Sequence, residues 1–180
     1  MRQVMEESEL LQIITAVDED AVKRLLDVYR ESMDQLVGGF ESPAAMEREY
    51  GAFLREFVRC PGQLLLVEQA QERWVSALRT VEVQPGQWFI EAVETAPQNR
   101  GKGWGKALML HAVQELERRG ARELFSLIYP DNGPSIAVHE AVGFVATGRA
   151  PVNGWGERED RCILYALRPD VRQEETAPCI

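Results

Sequence analysis

Cysteine and histidine are scarce in this 180-residue chain, which has three of one and two of the other. Cys60, Cys162 and Cys179 are odd in number and far apart. They form neither a disulfide framework nor a zinc-ligand spacing, so no metal is expected and a reducing cytoplasm is the simplest home. Positive charge is short as well: 20 Lys and Arg stand against 29 Asp and Glu, a net charge of −9. A nucleic-acid partner would ask for a basic face, and none is on offer. Long hydrophobic runs are missing too. Nothing approaches the ~20 apolar residues of a membrane span, and the acidic stretch Met1–Glu9 lacks the apolar core of a signal peptide. There is no repeat, low-complexity tract or internal linker. What remains reads as one soluble domain over residues 1–180, with its core near 10–167 and flexible tails at both ends.

Within that span the periodicity switches repeatedly between strand and helix. Residues 10–16 read as a first strand. Asp18 caps a helix that carries Ala21, Val22, Leu25, Leu26, Tyr29 and Met33 on a helical period, until Gly38 and Gly39 stop it. Ser42 and Pro43 open a second helix that ends near Cys60-Pro61-Gly62. Leu64–Gln69, Trp74–Val83 and Gln87–Thr95 are strand candidates parted by turns at 71–73 and Pro85-Gly86, an antiparallel meander. A helix over 103–119 follows, stopped by Gly120, then a buried strand Glu123–Ile128, a short helix to Val142, and strands Phe144–Thr147 and Arg161–Leu167. The order β-α-α-β-β-β-α-β-α-β-β is a mixed α+β architecture: a mostly antiparallel sheet of about seven strands with four helices. The polar tail Pro169–Ile180 is expected to fray.

The most informative segment runs from Gln98 to Ala107. It follows the apolar strand Trp88–Val93 and opens the long helix. Gly101, Gly103 and Gly105 alternate, which lets backbone approach a ligand closely. The helix then aims its free N–H groups and positive dipole end at the same place, with Arg100 and Lys106 adding charge at the rim. This is an anion cradle. A nucleotide P-loop needs two glycines separated by four residues and then Lys-Ser/Thr; here three residues separate Gly101 from Gly105, and Ala107 follows Lys106. The dinucleotide fingerprint Gly-x-Gly-x-x-Gly misses by one position, and the loop stands too late in the chain for a first Rossmann unit.

The pattern Arg/Gln-x-x-Gly-x-Gly/Ala does fit, at Arg100–Gly105, and resembles the acetyl-CoA pyrophosphate loop of the GNAT superfamily of N-acetyltransferases. A second stretch, Asn132–Phe144, resembles that family's Asn-x-x-(Ala/Ser)-x-x-x-(Tyr/His)-x-x-x-Gly-Phe segment. The element order coincides with the family's, and the resemblance covers roughly residues 10–167. It implies a GNAT fold and acetyl-CoA as cosubstrate, with no metal. By alignment, the amides of Gly101, Gly103, Gly105 and Lys106 grip the pyrophosphate. Lys102, Trp104 and Arg100 stand around them, and main-chain groups of Val93 and Thr95 take the pantetheine arm. The amide of Val93 would polarise the thioester carbonyl. Trp104 and Phe144 also read as core, and Lys102 and Lys106 as a solvated rim. Asn132 is a helix cap that in the family also contacts the cofactor.

Direct acetyl transfer to an amine needs a proton acceptor and a proton donor. Glu91 interrupts an apolar strand, where a carboxylate is costly unless solvated by a cleft or paired. Alternation puts it on one face with Phe89, Val93 and Thr95. Family members with a glutamate base on this strand carry it where Phe89 stands, so Glu91 shares the face and not the place. Its alternatives are a structural carboxylate and, for the base, Glu94 on the opposite face. His139 stands where many members have a tyrosine, and phosphinothricin-type acetyltransferases look similar in having Ser-Ile-x-x-His-Glu here. It is a candidate donor to the leaving thiolate or a packed histidine; His111 reads as a surface residue. Gly38–Pro43 and Ala150–Asp160 are the segments expected to line the acceptor. In the latter, Trp155 stands beside Glu157, Glu159 and Asp160, which suits an ammonium group.

The reading that results is an N-acetyltransferase acting on a primary amine of a small molecule, with no nucleic-acid or membrane partner; a homodimer is compatible with it. A protein or peptide amine is the alternative acceptor. A catalytically silent acyl-CoA-binding sensor is the alternative of another class.

Overall fold

A computed structural model of the chain describes residues 10–169. The acidic start, the tail beyond Pro169 and Cys179 lie outside the described residues. Seven strands form one sheet in the order β1-β2-β3-β4-β5-β7-β6. The chain divides into two compact units, Met1–Ala77 with Glu94–Leu108, and Leu78–Val93 with Met109–Ile180. Neither unit is continuous, because β3, β4 and α4 each contribute to both.

The first unit begins with β1 (Leu10–Ile14), paired antiparallel to β2 (Gln63–Ala70) from Leu10↔Gln69 to Ile14↔Leu65. Between them run α1 (Glu19–Val28), α2 (Arg30–Leu36) and α3 (Pro43–Arg59). The caps are those the sequence prescribes: Asp18 accepts from Ala21 N at 2.8 Å, and Ser42 Oγ from Ala45 N at 3.1 Å. The expected first helix is two helices, making five in place of the four expected. The break falls at Tyr29, with φ −89° and ψ 16°. No glycine or proline marks it; the buried Tyr29 ring packs edge-on against Tyr50 of α3 instead. Gly38 and Gly39 do end α2, in a 3-10 turn at Val37–Gly39. At Gly51 of α3 a Cβ would stand 3.1 Å from Val22 Cγ2, so the small residue sets how closely α1 approaches.

β3 (Arg73–Gln84) returns from β2 through Gln71 and Glu72, whose φ values of +47° and +63° make a left-handed two-residue hairpin turn. β4 (Gln87–Thr95) follows Pro85-Gly86, where Gly86 has φ +78°. In the second unit β4 pairs in parallel with β5 (Glu123–Ile128), which pairs antiparallel with β7 (Ile163–Leu167). The two-residue β6 (Val145–Ala146) closes the edge. α4 (Trp104–Arg118) precedes β5, and α5 (Gly133–Val142) follows it. Gly143, at φ +100°, ends α5, with Phe144 N reaching back to His139 O at 3.0 Å.

One face of these strands carries Phe89, Phe125, Leu164 and Ala166 as a buried cluster, flanked by Val83 and Leu127. Trp88, Ile90 and Leu124, which alternate with them, are buried as well, so both faces are covered. The parallel register of β4 and β5 runs from Gln87↔Glu123 to Ile90↔Ser126 and stops there. β4 continues for five residues and β5 for two. The strands therefore part beyond Ile90, and Glu91 begins the unpaired stretch on this side of β4.

Candidate active site

The chain leaves β4 at Thr95, makes a 3-10 turn at Pro97–Asn99, and reaches α4 at Trp104. Gly101 and Gly103 have φ of +73° and +88°, a region that costs an L-residue about 1–2 kcal/mol. A Cβ at either position would meet nothing within 4 Å. These glycines therefore serve backbone direction and access, and not packing. The first bond of the helix is Ala107 N to Gly103 O, 3.0 Å. The amides of Trp104, Gly105 and Lys106 accordingly project from its N-terminus, at the positive end of the dipole. Lys102 folds back so that Nζ donates to Gln98 O at 3.1 Å, and Lys106 is exposed. Trp104 is half-buried.

Arg100 is held by acids of its own unit. It pairs with Glu31 of α2 and with Glu94 Oε1 at 3.2 Å, and its Nε donates to Thr95 O at 3.1 Å. Glu94 also accepts from Ser32 Oγ at 2.7 Å. Its side chain is only 13% exposed. Burial pushes its carboxyl above the ordinary 4.5, opposed by the Ser32 hydrogen bond and the Arg100 charge and reinforced by Glu31. Ser32 and Glu31 lie more than sixty residues before Glu94, and nothing in the local pattern points to them.

Glu91, in the other unit, is paired, one of the two resolutions its apolar setting demands. Arg79 Nε donates to Oε2 at 2.5 Å and Nη2 to Oε1 at 3.0 Å. The two side chains are 10% and 19% exposed. Arg79 sits in a buried run of β3, Val75–Thr80. It is the residue the sequence reading missed, although a buried arginine next to a buried glutamate in the same meander is a readable signal.

His139 is buried at 1% exposure, edge-on to Phe144 with ring centroids 5.2 Å apart. Its Nδ1 lies 2.8 Å from Ser135 O. A carbonyl can only accept, so Nδ1 carries the proton and Nε2 is a bare lone pair, with no partner among the described residues. Burial lowers its affinity for a second proton below the ordinary 6.5, against the opposing Ser135 hydrogen bond. A neutral imidazole in this tautomer accepts a proton at Nε2 before it can give one. Asn132 caps α5, its Oδ1 accepting from Ser135 N at 3.2 Å, and is otherwise exposed. His111 is half-buried in α4; four residues on, Glu115 takes the arginines at 118 and 119.

The 150–160 segment is an ordered hairpin. Val152 bridges Arg158, and Asn153 Oδ1 accepts from Trp155 N and Glu157 N, both at 3.0 Å. Trp155 lies edge-on to Phe89, with centroids 5.7 Å apart and an interplanar angle of 85°. At the far end of β4 a cavity of about 550 Å³ is lined by Gln84, Pro85, Gln87, Arg122, Glu123 and Arg168. There Glu123 is neutralised by Arg149 and Arg168.

A left-handed glycine loop that leads from the end of one strand into a long helix defines a class. The chain belongs to the acetyltransferase (GNAT) family, whose pattern it matches over residues 22–144. Among individual proteins it is 41% identical over 59 residues to streptothricin acetyltransferase of Streptomyces lavendulae, covering 33% of this chain and 31% of that protein. It is 38% identical over 92 residues to the [ribosomal protein bS18]-alanine N-acetyltransferase of Escherichia coli K12, covering 51% and 61%. The chain thus matches under two thirds of the length of either. The PaiA N-acetyltransferase of Thermoplasma acidophilum, solved with coenzyme A, superposes with a TM-score of 0.66 at 15% identity, over 88% of this chain and 99% of that one. That last likeness concerns the fold alone. Among the described residues no helix is long and apolar enough to cross a membrane.

Proposed function

We propose that this protein is an acetyl-CoA-dependent N-acetyltransferase acting on a primary amine of a small molecule. The observation that carries the reading is the loop itself. Gly101 and Gly103 are left-handed in open space, three amides project from α4, and Lys102 and Lys106 stand at the rim. That donor set fits a diphosphate, with no side chain in its way. Arg100, Gly101, Lys102, Gly103, Trp104, Gly105 and Lys106 would hold it. The main chain of Val93 and Thr95 would take the pantetheine arm, and Asn132 would add a contact beside its capping role. When bound, acetyl-CoA supplies the activated acetyl group.

The protein's own part is to hold and move protons. A base must accept the proton the attacking amine loses. Glu91 has both oxygens engaged by hydrogen bonds from Arg79. Glu94 is desolvated, and its raised proton affinity suits the task better. We therefore assign the proton to Glu94 and a positioning role to the Glu91–Arg79 pair. His139, neutral within α5 and with Nε2 bare, is not a ready donor.

The test is a thiol-release screen against amines and peptides, alongside calorimetric titration with coenzyme A. Amine-dependent release supports the reading; failure to bind coenzyme A overturns it. A second reading, a silent acyl-CoA sensor, is favoured by the full engagement of Glu91 and the buried neutrality of His139. It predicts tight coenzyme A binding with no amine-dependent release. A peptide that outperforms every small amine would shift the acceptor to a protein, as the name of the Escherichia coli relative indicates for that enzyme. A cytoplasmic setting belongs to the same reading and rests on the sparse, odd-numbered and widely spaced cysteines.

A further inference from the structure

We propose that the Val152–Arg158 hairpin recognises a second positive charge on the acceptor, with Trp155 as its aromatic face and Glu157 and Glu159 as its counter-charges. The proposal rests on the acetyltransferase reading and names its substrate class: an amine that carries another ammonium group some distance from the one that reacts.

Trp155 is the starting point. It is 55% exposed, while the tryptophans at 74, 88 and 104 are buried or half-buried. An exposed indole is usually mobile, yet this one is held. Its ring meets Phe89 edge-to-face, and Phe89 is itself only 5% exposed and rests on Phe125 at 5.2 Å. The neighbouring residue can only be small: a Cβ on Gly154 would stand 2.6 Å from Phe89 Cδ1. The hairpin backbone is therefore pressed onto the β4 face, and Trp155 is presented from it with most of its surface open.

The charges are arranged to match. The Asn153 amide donates Nδ2 to Glu157 Oε2 at 3.1 Å and to Glu159 Oε1 at 3.5 Å, which draws both carboxylates to one point. The cations nearby in sequence are engaged elsewhere. Arg158 pairs with Asp160, Arg161 lies over Tyr129, and Arg149 is on Glu123. Among the described residues neither Glu157 nor Glu159 has a basic partner. Two carboxylates beside an exposed indole form a site for an organic cation, through charge and the ring's quadrupole together. An anionic ligand would be repelled, and a neutral one would leave both charges unanswered.

The position ties this site to the reaction. Phe89 is on the strand that carries Val93, four residues on, which is about 13 Å along an extended backbone. A substrate bound at both places holds its two nitrogens roughly that far apart. The reacting amine must be neutral, so the charge on Trp155 belongs to the other end.

Linear diamines of four to ten carbons and the matching monoamines test this on the full-length protein. Binding is followed by tryptophan fluorescence, and thiol release gives kcat and KM. The expected result is that diamines of nine to ten carbons bind about tenfold more tightly than their monoamines. W155A should raise KM for these diamines about tenfold with kcat within twofold and little change for monoamines. W155F should keep most of the preference, and the E157Q/E159Q pair should lose it while keeping Trp155. Equal binding of diamine and monoamine, or a W155A effect shared by both, overturns the proposal while leaving acetyl transfer intact. Diamine binding that depends on Trp155 without any acetyl transfer would uphold recognition and sink the enzymatic reading. Neither binding nor transfer would sink both.

Discussion

Arg79 grips Glu91 through two parallel hydrogen bonds, Nε to Oε2 at 2.5 Å and Nη2 to Oε1 at 3.0 Å, at the point where β4 parts from β5. The pair engages both oxygens of a conspicuous strand glutamate. The strand end that bears Val93 is held by it.

The two glutamates of β4 should then separate by experiment. Glu91→Gln takes from the largely buried Arg79 guanidinium a carboxylate that holds it through two hydrogen bonds, which costs about 2–4 kcal/mol after allowing for residual exposure. Glu94→Gln should leave the denaturation midpoint within about 1 kcal/mol of wild type and lower kcat by roughly 10²-fold or more. The wild-type rate should rise with pH through a limb above the ordinary carboxyl value of 4.5, because burial raises Glu94. In stability the sign is opposite: Glu94's contribution is fully present below 4.5 and fades as pH rises through the raised value. Denaturation and thiol-release assays on both variants decide this. Equal rates in Glu94→Gln and wild type would return the base role to Glu91 or to water.

His139 makes a separate prediction about acid. Its folded pKa is depressed by burial, so the stability linked to its neutral form is present above 6.5 and is lost as pH falls from 6.5 through the lower folded value. Melting temperature should drop over that range in the wild type, and the drop should shrink in His139→Gln. A parallel fall in both proteins would show that another group governs it.

At the loop, Gly103→Ala places a Cβ in open space but at φ +88°. The cost in stability should be about 1 kcal/mol, while coenzyme A affinity falls at least tenfold as the backbone relaxes away from the cradle. Titration calorimetry with unchanged affinity would show that the left-handed turn is not what binds the diphosphate.

Gly154→Ala drives a methyl into Phe89, 2.6 Å from Cδ1 and 3.0 Å from Cγ. Overpacking of that kind costs about 1–3 kcal/mol, and relief requires the hairpin to lift. Trp155 should then lose its contact with Phe89, red-shifting its emission and raising its quenching by iodide. A variant as stable as wild type, with an unaltered spectrum, would mean that the hairpin rides on Phe89 less closely.

The Asn132 cap separates two roles. Asn132→Ala removes the acceptor for Ser135 N at 3.2 Å, worth about 1 kcal/mol of stability. Any coenzyme A defect beyond what that loss produces would mark a direct contact, and Asn132→Ser, which caps as well, separates the two in a binding assay.

Much of this protein is written locally. Ser42 and Pro43, Asp18, Asn132 and Gly143 start and stop helices because caps answer backbone groups a few residues away, and such signals are visible in any window of the chain. The glycine loop is legible for the same reason: its spacing, the strand before it and the helix after it are contiguous. What stayed hidden depends on partners distant in sequence. The break at Tyr29 follows from Tyr50 in another helix. Glu94's proton affinity is raised by burial and modulated by Ser32, Arg100 and Glu31, of which Ser32 and Glu31 come from more than sixty residues away. Glu91 and Arg79 are both plain in the sequence as charged residues in apolar strands, yet only the meander's geometry turns them into a pair. The tautomer of His139 is fixed by one carbonyl a turn earlier and by the packing that excludes water. The sequence by itself determined the order of strands and helices, apart from the break at Tyr29, and the glycine loop that opens α4, because these rest on short-range backbone hydrogen bonding and periodicity. Which carboxylate is desolvated, and which indole stands open beside two acids, was decided only by tertiary packing, because desolvation and charge pairing are properties of neighbours in space.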